Sequence, residues 1–294
     1  MSPALFRLLL AVVIALFAPS AAQAMSCCSG GPAALTRGRL MVLEDALVGL
    51  DLRASHELGS HDSAGSFGSK SGSELGFEQG LFAATRLFGR GQLSFRAPLV
   101  QTWRHESRYR QLGGGLGDLQ LAARWDLVWP NDAFGIPGVG IVASAVLPTG
   151  RAPEDATGVL GADATGAGTL QLAGGLSAEH TFGGRFLASF AGTVGTRAAR
   201  TVRGTEVPAS LLWSASGAAG LELPGDSVVS FGASWLAEPS ARRTSLRLAL
   251  SLGTQVTDEW RVNRGVFADP PIDGIARNQP ASLGATFLLI RSWS

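Results

Sequence analysis

Apolar side chains recur at every second position along this chain. From Leu119 the alternate residues are Leu119, Leu121, Ala123, Trp125, Leu127 and Trp129, set against Asp118, Gln120, Ala122, Arg124 and Asp126. Period two marks a β-strand, whose successive side chains point to opposite faces. Twelve segments follow this rule or come close to it: 46–57, 75–87, 92–104, 117–129, 138–147, 168–181, 186–195, 211–223, 228–237, 244–256, 260–267 and 281–293. Helical periodicity is not sustained anywhere, and beyond the N-terminal region no apolar run approaches the 18 or so residues of a membrane helix.

Alternation alone fits two arrangements. A soluble sheet turns its apolar face to a core. A barrel in a membrane turns it to lipid and lines its lumen with the polar face. The connections favour the barrel, because short ones (88–91, 130–137, 182–185, 224–227, 257–259) alternate with long polar ones (59–74, 105–115, 149–166, 196–208, 268–280). Only 238–243 breaks the pattern. Tight turns on one side and long loops on the other are the habit of outer-membrane barrels, as is an even strand number. All seven tryptophans fall near strand ends, Trp103, Trp213 and Trp235 toward the long loops and Trp125, Trp129, Trp260 and Trp293 toward the short turns, as two aromatic girdles require.

The expected fold is therefore all-β: a transmembrane antiparallel up-and-down barrel of about twelve strands. Strand phase then names a lumen lining of Asp51, Arg53, Glu78, Arg86, Arg96, Asp118, Gln120, Arg124, Asp126, Glu179 and Arg247. Arg291 points outward near the chain end, where it can snorkel. Arg264 does not fit, since it shares a face with Trp260 and Val262; a bulge or a different register is expected there.

Composition agrees with a membrane barrel. Charged residues make up 16% of the chain, against roughly 25% in soluble domains, and mean hydropathy is +0.20. The net charge of +1 gives no basis for a nucleic-acid partner. Residues 1–24 have the features of a cleaved signal peptide: Arg7, the apolar run Leu8 to Phe17, and Ala22-Gln23-Ala24 as the cleavage site. Residues 25–45 are then expected as a periplasmic tail and 46–294 as the barrel. The tail carries adjacent Cys27 and Cys28, a pair of thiols suited to a soft metal such as Cu(I) or Zn(II), although no matching His or Cys cluster follows. A flexible tail with two accessible thiols is the plainer reading.

Catalysis finds little support. The histidines are His56, His61, His105 and His180, no G-x-S-x-G is present, and none of the four has the neighbours that activate a serine. His56 and His61 with Asp62 form a conceivable metal set, with an ordinary polar loop as the plainer alternative. No enzyme and no cofactor are expected.

Three motifs in order, "GGGLGDLQLAARWDL" (113–127), "ASAVLPTGRAPEDATGVLG" (143–161) and "GTLQLAGGLSAEHTFGG" (168–184), resemble the outer-membrane transporter-like family named for the meta-pathway of phenol degradation. The likeness covers about a quarter of the chain. It implies an outer-membrane barrel passing small, sometimes aromatic, compounds, and it supplies no binding residues to carry over. Together these readings predict an outer-membrane channel for small solutes, with the lipid bilayer and the barrel-insertion machinery as partners. The alternative is a closed barrel, sealed by its own ion pairs, with a structural or binding role.

Overall fold

A computed structural model describes residues 39–41, 43–69, 72–129 and 135–294. The expected signal peptide, its cleavage site and Cys27-Cys28 lie outside the described residues.

Among the described residues, twelve long strands form one antiparallel sheet in chain order. They are β1 (Ala46–His61), β2 (Ser73–Leu87), β3 (Gly91–Glu106), β4 (Leu119–Val128), β5 (Gly138–Leu147) and β6 (Gln171–Phe182). The second six are β7 (Phe186–Arg197), β8 (Ser210–Leu223), β9 (Ser227–Glu238), β10 (Arg243–Gln255), β11 (Trp260–Ala268) and β12 (Gln279–Trp293). β12 pairs with β1, from Ala46↔Trp293 to His61↔Gln279, and closes the barrel. Closure leaves no edge strand among the twelve of the wall, which a bilayer demands because nothing there pairs with a bare backbone.

The two faces differ as the alternation requires. Leu81 is 65% exposed, Phe190 58% and Phe231 53%, all on the outside of the wall. Asp51 and Arg96, on the other phase, are 1% and 3% exposed. A band of exposed leucine and phenylalanine around a closed wall suits hydrocarbon, not water.

Short turns and long connections sit at opposite ends. The turn between β6 and β7 places Gly183 and Gly184 at φ +56° and +73°, closed by Arg185 N donating to Phe182 O at 3.2 Å. Two consecutive positive φ values are the backbone of the tightest hairpin turn, and glycine adopts them without a Cβ clash. The long connections carry strands that alternation did not reveal. Tyr109–Leu116 folds back along β3, Phe67–Ser69 pairs with β1, and Arg200–Val202 pairs with Thr205–Val207.

The geometry expected from alternation fails at Trp129. In β4 the register shifts between Asp126 and Val128, a β-bulge that reverses the alternation. Trp129 then turns inward, with the Arg86 guanidinium 5.3 Å from its ring centroid, and does not join the short-turn girdle. The other six tryptophans are 37–47% exposed at the outer wall.

Around Arg264, by contrast, no bulge is present. The ladders run unbroken through β11, with Arg264 opposite Leu252 on one side and Phe287 on the other. That register puts Arg264 on the outer face. A lipid-facing Arg costs about 2–4 kcal/mol at the bilayer midplane.

Candidate functional site

The inside of the barrel is not uniform. From β1 to β4 the inner wall carries charge. Asp51 lies across the ladder from Gly80, and Arg96 is one strand further on. The Arg96 guanidinium donates to both Asp51 oxygens, at 3.2 and 2.7 Å, and also pairs with Glu78. Gly80 makes room for this cluster, since a Cβ there would meet Asp51 Oδ1 at 1.9 Å. A second cluster lies toward the short-turn end. Arg124 donates to Asp126 Oδ1 at 2.6 Å and to Glu179 Oε1 at 3.1 Å. Gln120 lies between the clusters, opposite Arg96 in the ladder, with its carbonyl oxygen buried and unpartnered among the described residues.

From β5 to β10 small residues predominate at mid-wall, Val142 apart, while the charged side chains of these strands, Glu179, Arg197, Glu238 and Arg247, lie toward the two ends. Ser144, Ala173, Gly175, Ser177, Ala191 and Thr193 continue through Ser214, Ser216, Ala218, Ser230, Gly232, Ser234 and Ser251 along the inward phase. Their hydroxyls partly satisfy one another: Thr193 and Ser214 are 2.6 Å apart, and Ser230 and Ser251 2.7 Å.

The segment before β1, expected as a tail, enters the short-turn mouth. Leu40 is 1% exposed and packs with Leu47, Phe82, Ala84, Leu288 and Ile290. Its backbone N donates to Gln92 Oε1 at 3.0 Å. Arg39 reaches across to Glu179 and stands 3.8 Å from Asp126. Arg86 holds the strap from below, donating to Glu44 O at 2.8 Å and to Met41 O. Glu44 in turn pairs with Arg261 at 2.8 Å. So Arg86 grips a chain segment rather than lining an open wall. A faint sequence signal for this plug exists: Phe82, Leu288 and Ile290 are apolar on the otherwise polar phase.

At the long-loop end, Asp118 is also a clasp. It accepts from Gly150 N at 3.0 Å and from Ala167 N at 2.6 Å, pinning both ends of the 148–170 connection. That connection crosses toward β3, where Arg104 donates to Leu160 O at 2.7 Å and to Glu74 at 2.8 Å. Beside it opens a cavity of about 580 Å³ lined by Glu57, His61, Glu74, Arg104, Leu160 and Gln279 among others. Within the connection, Asp163 accepts from Thr157 N at 3.0 Å and Thr157 Oγ1 at 2.9 Å, and pairs with Arg151. These bonds, the backbone one foremost, hold its carboxyl well below the usual carboxylate range.

Arg53 and Arg247 stand either side of Phe267, at 4.3 and 4.7 Å from its centroid, and Arg247 forms a two-pronged bond to Asp269 at 2.7 and 2.8 Å. Phe267, Asp269 and Arg39 were absent from the sequence-derived lining. Phe267 sits beside the misfit Arg264, where the phase could not be read.

His56, His61 and Asp62 are spent separately. His56 Nδ1 faces Glu74 O at 3.2 Å, His61 Nε2 faces Ile272 O at 3.2 Å, and Asp62 closes a turn by accepting from Ala64 N and Ser66 N. Among the described residues no group of three His, Cys, Asp or Glu side chains is placed to hold a metal.

No family model and no curated protein matches the chain. Solved structures do. The COG4313 outer membrane channel from Pseudomonas putida F1 superposes with a TM-score of 0.71 at 12% identity, over 87% of this chain and 98% of that one. The translocator domain of the autotransporter NalP from Neisseria meningitidis gives 0.52 at 10% identity, over 85% and 88%. The KdgM porin gives 0.51 at 8%, over 84% and 99%. At such identities the likeness establishes the fold, that of an outer-membrane barrel.

Proposed function

We propose that the chain is an outer-membrane channel for small solutes, with the long-loop end facing the cell exterior and the short-turn end the periplasm. The division of the inner wall carries this reading. Eight strands already make an interior just wide enough for side chains to fill. Here the middle of the β5–β10 wall, Val142 apart, contributes little beyond Gly, Ala, Ser and Thr, so the passage runs along that side. Its hydroxyls offer donors and acceptors without charge. On the opposite half, Arg96 is matched by Asp51 and Glu78, and Arg124 by Asp126 and by Glu179 reaching across from β6. A lining of balanced charge selects weakly among ions. The resemblance to the phenol meta-pathway family adds small aromatic compounds as solutes, and hydroxyl-bearing rings suit such a wall. Asp51, Arg53, Glu78, Arg96, Gln120, Arg124, Asp126, Glu179 and Arg247 are the proposed lumen lining.

One observation favours the second reading, a closed barrel: the strap of residues 39–41 and 43–45 occupies the short-turn mouth. Single-channel conductance in planar bilayers separates the two. Wild type and a Leu40→Ser, Arg39→Ala variant are compared. The channel reading expects conductance from both, larger or longer-lived in the variant. Silence from both, with normal heat-modifiable migration on gels, supports the closed barrel.

A further inference from the structure

Arg264 is explained neither by the lumen nor by the strap. The unbroken ladders place it on the outer face, between Leu252 and Phe287. Its neighbours on that face are apolar: Leu250 is 50% exposed and Phe287 36%. Leu252, by contrast, is only 9% exposed, as expected if the Arg264 stem lies over it. The guanidinium Nε is shut off from solvent and has no hydrogen-bond partner among the described residues.

The other outward arginine on this stretch shows the contrast. Arg291 pairs with Glu259 at 2.9 Å and lies over the rings of Trp260 and Trp293. Its charge is neutralised at the rim. For Arg264 no carboxylate among the described residues does the same. A guanidinium facing an apolar environment demands an anion with several acceptor oxygens, to match its fork of donors.

Position selects the anion. Arg264 lies four residues along β11 from Trp260, which marks the short-turn rim. At about 3.3 Å per residue and a tilt near 40°, that is roughly 10 Å into the apolar band. An arginine reaching rimward from there meets the headgroup layer of the nearer leaflet. We infer that Arg264 and the rim beneath it bind the phosphodiester of a phospholipid on the short-turn side of the membrane. This rests on the barrel lying in a bilayer and not on its conducting anything.

The test is native mass spectrometry of the detergent-purified full-length protein with phosphatidylglycerol as the probe and a diacylglycerol of the same tails as the phosphate-free control. Wild type is expected to retain the phospholipid about tenfold better than the diacylglycerol, the factor that one charge-assisted hydrogen bond carries. Arg264→Leu is expected to lose that preference while keeping heat-modifiable folding, because it places an apolar side chain on an apolar face. Arg264→Lys is expected to keep part of it. Equal retention by wild type and Arg264→Leu overturns the assignment. So does tight binding of inorganic phosphate alone, which makes the site one for a free anion, or an Arg264-dependent dimer, which hands the guanidinium to a carboxylate of a second copy. Partitioning of both variants into liposomes is measured alongside, so that failure of membrane residence is distinguished from failure of lipid binding.

Discussion

The two halves of the inner wall solve the same problem in opposite ways. Each must face inward without an apolar core. The β1–β4 half uses long charged side chains and satisfies them with one another, as in Arg96 with Asp51 and Glu78. At mid-wall the β5–β10 half uses side chains too short to reach across and pairs hydroxyls between adjacent strands, as in Ser230 with Ser251, and it keeps its charges, such as the Arg197–Glu238 pair, toward the ends. The first half fills space and is bound by dense electrostatics. The second presents short side chains at mid-wall and is bound there mainly by its backbone ladder. The difference shows how one barrel wall is braced by side chains on one side and by backbone pairing on the other.

The comparison breaks most severely at Arg96. Arg96→Met leaves two carboxylates without their shared cation, Asp51 almost fully buried, and such uncompensated burial costs about 3–5 kcal/mol. Urea unfolding of liposome-inserted protein should show a loss of that size. A loss below about 1 kcal/mol would mean that water reaches the cluster freely, as it reaches exposed ion pairs.

Gly80→Ala tests the same cluster from the backbone. The new Cβ overlaps Asp51 and Arg96, so overpacking of about 1–3 kcal/mol is expected by the same measurement. The hydroxyl half should respond less. Ser230→Ala removes one buried hydrogen bond, worth about 0.5–1.5 kcal/mol, and Ser251 takes up part of the loss through its further contacts.

The smallest effect is local and lies where the 148–170 connection bridges the halves. Asp163 titrates below the ordinary carboxylate range because Thr157 donates to its charged form. A depressed folded value means the stabilisation is complete above the unfolded value, about 3.9, and is lost only as pH falls through the lower folded one. The connection should therefore resist protease at about pH 4 as well as at neutrality, and become cleavable in stronger acid. Asp163→Asn should make it cleavable already at neutral pH.

Much of this was legible from single residues. Leu81, Phe190 and Phe231 lie on the expected outer phase and Asp51, Arg96 and Arg124 on the inner, because side-chain direction in a strand follows parity and nothing else. Parity failed where the backbone slips. Trp129 sits beyond a bulge, and no residue type there announces one. Arg264 looked like such a slip and was not: its strand is regular, and its placement on the outer face is a property of the molecule.

The sequence by itself determined that the chain forms twelve alternating strands, which face is apolar, and which end carries short turns. These follow from local rules of spacing, turn length and side-chain polarity. Only the tertiary structure decided which charges meet: that Arg96 takes Asp51 and Glu78, that Arg247 takes Asp269 instead of a wall carboxylate, and that Arg86 and Asp118 grip chain segments. It also decided that residues 39–41 and 43–45 enter the mouth. Those contacts join residues far apart in sequence, and their partners are set by barrel closure and stagger, which no local pattern encodes.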